Sequence, residues 1–158
     1  MFKRILITCI SALLVNMCIY THVTLAALGE LTNSIEKDRR ALSAEKGVVK
    51  TVNEYTIYEI ASASTTVREY VSPSGVIFGI AWNGLTHPDL TKLLGSYTAE
   101  YERALQQRHQ LPGSSSRRHF QISTESIVVE KWGHMRNLQG RAYVPSLIPA
   151  GVSADDIK

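Results

Sequence analysis

Cysteine is nearly missing from this sequence of 158 residues, and its scarcity excludes several kinds of chemistry. The two cysteines, Cys9 and Cys18, both lie in the first twenty residues, in an apolar run that begins after Lys3 and Arg4. A basic start, an apolar stretch and small residues at a cut are typical of a secretory signal peptide. We therefore predict a signal over residues 1–26, whose cleavage removes disulfides, cysteine catalysis and cysteine metal ligands together.

The chain also lacks a large excess of charge of one sign. The chain carries a net charge of +3, and two of those three positive charges, Lys3 and Arg4, belong to the predicted signal. Because charge indicates nucleic-acid binding only when it is large or clustered, we predict no nucleic-acid partner. The predicted location is the periplasm or the cell exterior, and contact with a membrane is expected only through an uncleaved signal.

The usual patterns of enzyme sites are absent from residues 27–158. There is no G-x-S-x-G nucleophile turn, no H-E-x-x-H zinc pattern and no glycine-rich phosphate loop. The sequence therefore predicts no cofactor and favours a noncatalytic protein. The alternative is a small periplasmic hydrolase or metal-dependent enzyme that uses His87, Asp89 and His134, because helix starts and turns gather at the ends of a sheet.

What the sequence does contain is a series of strand patterns, without any internal repeat. Residues 48–83 predict a three-strand meander, with strands over 48–58, 66–72 and 76–82. Strand formers resume near residue 120 and predict a second, small β-hairpin region, with a turn over 133–140.

The strand at 76–82 indicates where the core lies. Alternation places its largest side chains together on one face: Val76, Phe78, Ile80 and Trp82. The opposite face carries the small residues Gly79 and Ala81 beside Ile77, so another element is expected to pack closely there. The predicted element is the helix that follows.

That helix begins at residues 86–89, Thr-His-Pro-Asp, because proline suits the first turn and an acid meets the positive end of the helix dipole. Apolar residues then recur at spacings of three and four as far as Leu105, and Gly95 marks a point where the helix kinks or splits in two. A shorter helix is predicted near Asn33, which forms a capping-box pattern with Glu36.

These elements predict a single α+β domain over residues 27–158: an antiparallel β-meander covered by one long amphipathic helix, with the small β-hairpin region after it. A stretch rich in Ser, Gly and Pro predicts a flexible loop at about 110–118. Two prolines predict an extended tail at about 145–158, in which residues 153–156 cap a short final turn.

Aromatic and arginine side chains on the strands have the greatest potential for recognition, because such a surface could bind a glycan, a peptide or an extended chain. The glycines and prolines in the segments around these strands are explained by turns and by the helix start. The charged residues in the same segments are not explained as well by such structural roles. The binding candidates are Arg68, Tyr70, His134, Arg136 and Arg141.

Several segments together resemble one known family. They are TVREYVSPSGVIF at 66–78, WNG at 82–84, PDL at 88–90, LGSY at 94–97, GHM at 133–135 and GRAYVP at 140–145. The chain is similar to exported proteobacterial proteins catalogued as a domain of unknown function, number 2844. The resemblance implies an envelope or secreted location and carries no activity, cofactor or catalytic residue.

The leading functional hypothesis is a noncatalytic exported module that binds or scaffolds an envelope protein or a glycan. It depends on the missing catalytic patterns and on the aromatic and arginine residues of the strands. A further alternative is an assembly factor or chaperone that adds a partner strand at a free sheet edge.

Overall fold

The computed structural model describes residues 28–32, 35, 40, 47–52, 54–110 and 119–158. The predicted signal at 1–26 lies outside these residues, as do most of the helix predicted near Asn33 and the loop after residue 110. In the described ranges, no helix is long and apolar enough to cross a membrane.

A seven-stranded antiparallel sheet forms the frame of the described residues. Its strands are β1 (Val49–Val52), β2 (Tyr55–Ala61), β3 (Thr65–Val71), β4 (Ile77–Gly84), β5 (His119–Ser123), β6 (Val128–His134) and β7 (Asn137–Tyr143). Their order across the sheet is β1-β2-β3-β4-β7-β6-β5. The α+β class is therefore confirmed, but the predicted second β region is not separate, because β7 pairs with β4 and extends the same sheet.

The strand predicted over 48–58 is in fact two strands. β1 and β2 form a hairpin in which Val52 lies opposite Tyr55, and Glu54 lies between them. Both halves contain strand formers, and the connection has neither glycine nor proline, the strongest signals of a turn. The sequence therefore offers little sign of the break.

Strand β4 departs from strict alternation at its start. Val71 pairs with Ile77 and Tyr70 pairs with Gly79, which leaves Phe78 as the extra residue of a β-bulge. Ile77 consequently packs in the core on the helical side, while Phe78 packs on the opposite face. The predicted faces were wrong at these two positions, because one inserted residue reverses the alternation.

The helical segment after β4 is broken. Helix α1 (Leu90–Leu93) leads into a 3-10 turn at Gly95–Tyr97, and helix α2 (Thr98–His109) follows. Gly95 has a φ of 52°, which glycine adopts without the strain of a side chain. A single long amphipathic helix is therefore not confirmed, and the split considered as an alternative is what occurs. These helices cover one face, where Leu93 is buried in the larger core.

The opposite face is crossed by the chain that follows β7. A 3-10 turn at Pro145–Leu147 comes first, and a second one at Ala154–Asp156 is the predicted short final turn, which Ser153 and Asp156 close with a capping box. Ile157 is fully buried against Gly79, where an added β-carbon would come within 2.8 Å of Ile157 Cδ1. Close packing against the small face of β4 is confirmed, but it comes from residues 153–158, here called the crossing segment, and not from the helix. The predicted extended tail is therefore folded onto the sheet.

Candidate binding face

Two arginine–glutamate pairs organise the sheet face opposite the helices. Arg68 of β3 and Arg141 of β7 both lie opposite Ala81 of β4. Each arginine has a glutamate on its outer side, Glu59 on β2 and Glu130 on β6. A row of Glu-Arg-Ala-Arg-Glu therefore crosses neighbouring strands, with its smallest residue at the centre, and the crossing segment lies on this face.

The two arginines hold the crossing segment from either side of β4. Arg68 Nε donates to Glu59 Oε2 at 2.9 Å, and its Nη1 donates to the carbonyl oxygen of Lys158 at 3.4 Å. Arg141 Nε donates to Glu130, and its Nη1 donates to the carbonyl oxygen of Ala154 at 2.6 Å. Each guanidinium thus joins a carboxylate of the sheet to the backbone of the segment.

Charge reinforces the second of these pairs. Burial acts against the charged form of Arg141, but the hydrogen bond and negative charge of Glu130, together with Asp155, raise the pKa of Arg141 above its ordinary value. Arg141 also lies over the ring of Trp132, with its Cζ atom 5.9 Å from the ring centroid. It is therefore a permanent cation that is fixed on several sides.

Tyr70 fixes the end of the crossing segment. Its hydroxyl accepts a hydrogen bond from the backbone N–H of Lys158 at 3.0 Å and donates to the carbonyl oxygen of Lys158 at 2.6 Å. Burial raises the pKa of Tyr70 above its ordinary value, so the hydroxyl keeps the proton that it donates. Two of the five binding candidates, Arg68 and Tyr70, thus meet at the backbone of one residue.

A groove of about 420 Å³ lies beside this point, between the first three strands and the crossing segment. We call it the tyrosine groove; it is lined by Tyr55, Ile57, Tyr70, Glu59, Arg68 and Asp156, among others. The rings of Tyr55, Tyr70 and Phe78 cluster next to it, with centroids 5.7 to 6.2 Å apart. Burial, followed by the charges of Asp156 and Glu54, raises the pKa of Tyr55. The groove therefore combines an aromatic floor with charges of both signs.

A second groove of about 210 Å³ shares Arg68 and Lys158 with the first. We call it the tryptophan groove; its other lining residues include Asn83, Trp132, Asn137 and Gln139. Trp132 Nε1 donates to Gln139 Oε1 at 3.1 Å, and Gln139 Nε2 donates to Asn137 Oδ1 at 3.0 Å. The side-chain oxygen of Asn83 is buried and has no hydrogen-bond partner among the described residues.

Two other binding candidates occupy the tip of the β6–β7 hairpin. The turn predicted over 133–140 is confined to Met135 and Arg136, between the paired residues His134 and Asn137. Arg136 has a φ of 70°, a value that favours glycine, and Met135 is 88% exposed. Neither His134 nor Arg136 lines either groove, so the structure does not bring them together with Arg68, Tyr70 and Arg141.

The three residues proposed for a metal or hydrolase site each have another role. Trp82 Nε1 donates to His87 Nδ1 at 2.9 Å, and burial together with the charge of Lys131 lowers the pKa of His87. Asp89 caps α1, where hydrogen bonds from Thr91 lower its pKa. His134 ends β6. Across the part of the chain that the structure describes, no three His, Cys, Asp or Glu residues form a group that could hold a metal ion.

Sequence reasoning did not select Asn83, Asn137 or Gln139. Asn83 and Gln139 are directly paired between β4 and β7, although they are far apart in the sequence. No spacing within either strand marks them, because their proximity depends on which strands pair. Only a prediction that β4 pairs with β7 could have identified Asn83 and Gln139 as neighbours.

A family model described as a protein of unknown function (DUF2844) matches residues 24–157. That range spans every strand and helix described above. No curated protein and no solved structure matches the chain.

Proposed function

We propose a function for a chain that belongs to the DUF2844 family: a noncatalytic binding module of the bacterial envelope, exported by the signal at residues 1–26. Its binding surface is the tyrosine groove, and its ligand is a short peptide segment of an envelope protein. One observation carries the proposal. The same sheet face already holds one piece of chain through hydrogen bonds to its backbone groups, and this piece, the crossing segment, lies directly beside the groove.

The contacts of the crossing segment indicate how the face recognises a peptide. Arg68 and Arg141 donate to backbone carbonyl oxygens, and Tyr70 makes hydrogen bonds to both the N–H and the carbonyl group of Lys158. Such bonds recognise a peptide backbone with little regard to sequence, while side-chain pockets add specificity. Ile157 is an example of recognition by a side-chain pocket, because its side chain fills the space above Gly79.

The tyrosine groove continues this surface toward the edge of the sheet. Tyr55 and Ile57 are half-buried there, and aromatic side chains are enriched in the anchoring pockets of interfaces. Lys50 and Glu59 supply charges of opposite sign on neighbouring strands. A peptide with one apolar or aromatic side chain and a mixed-charge flank fits this arrangement.

Site-specific photo-crosslinking tests the proposal. A photoreactive amino acid at Ile57 should join the protein to one envelope polypeptide in living cells, whereas the same residue at Glu102, exposed on α2, should not. A synthetic peptide of the crosslinked segment should then bind the purified protein. Ile57→Glu should weaken that binding by at least about tenfold, which corresponds to about 1.4 kcal/mol, and Glu102→Lys should leave it unchanged. Equal crosslinking from both positions, or unchanged binding to Ile57→Glu, would contradict the proposal.

A second candidate function, strand addition, is favoured by the outer edge of β1. This strand lies at one end of the sheet order, and Val49 is 55% exposed. Glu59 N–H donates to the carbonyl oxygen of Val48, so alternation turns the N–H of Lys50 toward β2 and that of Thr51 outward. Thr51→Pro should therefore abolish capture of a partner strand while preserving the fold, and Thr51→Val should preserve both.

A further inference from the structure

The outermost strand β1 has backbone groups that point away from the sheet. It ends the strand order, so among the described strands only β2 pairs with it. The carbonyl group of Val48 accepts from the N–H of Glu59, so Val48 and Lys50 direct their backbone groups toward β2. The N–H and carbonyl groups of Val49 and Thr51 therefore point outward, where a further strand can pair with them.

The same strand forms the outer margin of the tyrosine groove. Val48, Lys50 and Val52 line the groove together with residues of β2 that include Tyr55 and Ile57. The register places Lys50 opposite Ile57 and Val52 opposite Tyr55, so these side chains share one face of the sheet. A strand added to β1 would lie about 4.8 Å farther out and present every second side chain on that same face. The edge and the groove are therefore parts of one continuous surface.

Lys50 determines which side chain suits the position opposite it on an added strand. Lys50 is exposed, and no ion pair among the described residues includes it. An acid directly across from it gains a favourable cross-strand pair, whereas a like charge there is destabilising. A second copy of β1 is therefore disfavoured, because the register that pairs Val49 with Thr51 of the copy places Lys50 opposite Lys50. On either side of Lys50, the apolar Val48, which is 68% exposed, and Val52 face the groove.

We propose that the peptide bound by the tyrosine groove joins β1 as an antiparallel strand, with an acidic residue opposite Lys50 and apolar residues two positions before and after it. This mode of binding rests on the proposed function and unites it with strand addition, because the peptide in the groove is then the added strand. Antiparallel pairing is slightly more stable per residue than parallel pairing. The two neighbours of the acid lie opposite Val49 and Thr51 and exchange hydrogen bonds with them, while the N–H of the acid points away from β1. The two apolar residues lie beside Val48 and Val52.

The probe is the acetylated and amidated peptide T-V-T-D-T-V-T, whose acid is its central residue. Isothermal titration of the whole chain should show saturable binding of this peptide. N-methylation of the two residues beside the acid removes the donors to β1 and should weaken binding by at least about tenfold. N-methylation of the acid itself alters an N–H that faces solvent and should change the affinity by less than about twofold. Equal effects of the two kinds of methylation would overturn strand addition.

A charge swap tests the role of Lys50. Lys50→Glu should weaken binding of T-V-T-D-T-V-T by at least about threefold, because it places like charges opposite each other. The peptide T-V-T-K-T-V-T should bind this variant more tightly than it binds the native protein. Arg103→Glu makes the same change of charge at an exposed position of α2 and should leave both affinities unchanged. If Lys50→Glu and Arg103→Glu behave alike, the acid does not lie opposite Lys50.

The outcomes distinguish failure of this mode from failure of the proposed function. If a segment crosslinked at Ile57 depends on Ile57 but tolerates Thr51→Pro and Lys50→Glu, the peptide occupies the groove without joining the sheet, and strand addition alone is overturned. If the probe binds but Ile57→Glu leaves its affinity unchanged, the edge of β1 binds strands and the groove is not the peptide site, which overturns both. Absence of probe binding overturns the proposed chemistry of the strand, whatever the crosslinking shows.

Discussion

Ile157 occupies the space above Gly79 so closely that a β-carbon at position 79 would come within 2.8 Å of its Cδ1 atom. Gly79→Ala should therefore destabilise the protein by about 1–3 kcal/mol, the usual cost of overpacking a core. Ile157→Val removes the contacting methyl group and alone costs about 0.5–1.5 kcal/mol. The double variant should be more stable than the sum of the two effects predicts, as measured by urea unfolding. Strict additivity would show that the two residues do not touch in solution.

The two arginine–glutamate pairs should differ in strength. The side chains of Arg141 and Glu130 are only 17% and 12% exposed, whereas those of Arg68 and Glu59 are 29% and 39% exposed. Arg141→Met leaves a poorly solvated carboxylate and should cost about 3 kcal/mol. Arg68→Met breaks a better solvated pair and should cost about 1 kcal/mol or less. Chemical denaturation of both variants measures the difference.

A paired variant provides the control for this comparison. Adding Glu130→Gln to Arg141→Met removes the isolated charge and should restore part of the lost stability. Equal losses for Arg68→Met and Arg141→Met would argue that exposure does not govern the two pairs.

The burial of His87, with the positive charge of Lys131 nearby, should make stability depend on pH. Burial lowers the pKa of folded His87 below its ordinary value of 6.5, so between the two values the unfolded chain binds more protons than the folded one. The free energy of unfolding is therefore highest above about pH 6.5, where His87 is neutral in both states. It declines as the pH falls toward the lowered pKa of the folded state. Thermal unfolding between pH 7.5 and 5, at about half-unit steps, measures this decline.

His87→Asn is the matched variant, because it offers Trp82 an acceptor that does not titrate in this range. Its stability should change less over the same interval, and the fluorescence of Trp82 should lose its pH dependence. Identical pH profiles for the variant and the native protein would rule out His87 as the titrating group.

Arg136 should be replaceable by glycine with a gain in stability. Its φ of 70° is costly for a residue with a side chain, by about 1–2 kcal/mol, and glycine avoids this strain at some cost in chain entropy. Arg136→Gly should therefore raise stability by up to about 1 kcal/mol, and the β-branched Arg136→Val should lower it. Differential scanning calorimetry ranks the three proteins. The same glycine variant tests the binding role suggested by the sequence, because it removes the side chain without harming the turn.

The sequence predicted features that depend on neighbouring residues better than those that depend on strand pairing. Ser153 was expected to cap a final turn, and it does so because every group in the capping box lies within four residues. Gly79 and Ala81 correctly indicated a close neighbour on their face. The identity of that neighbour depended on contacts made by Arg68 and Tyr70, which lie far from it in the sequence, and by Arg141 on β7.

The misassigned faces of β4 have a similar physical cause. The β-bulge at Phe78 arises from the pairing of β4 with β3, and the sequence of β4 alone does not indicate it. The candidate site follows the same rule. The side-chain chemistry of Arg68, Tyr70 and Arg141 was enough to select them from the sequence. Asn83 could be identified only from the pairing of β7 with β4.

The position of the crossing segment also constrains the order of folding. Its two arginine anchors come from β3 and β7, which lie on either side of β4. The connection from β3 to β4 is short, whereas the chain between β4 and β7 contains both helices, β5 and β6. The segment can dock completely only after β7 has joined β4, a contact of long sequence separation that forms slowly in most proteins. Once docked, it bridges β3 and β7 across β4 in addition to the direct pairing of β4 with β7, and we therefore expect the two halves of the sheet to unfold together.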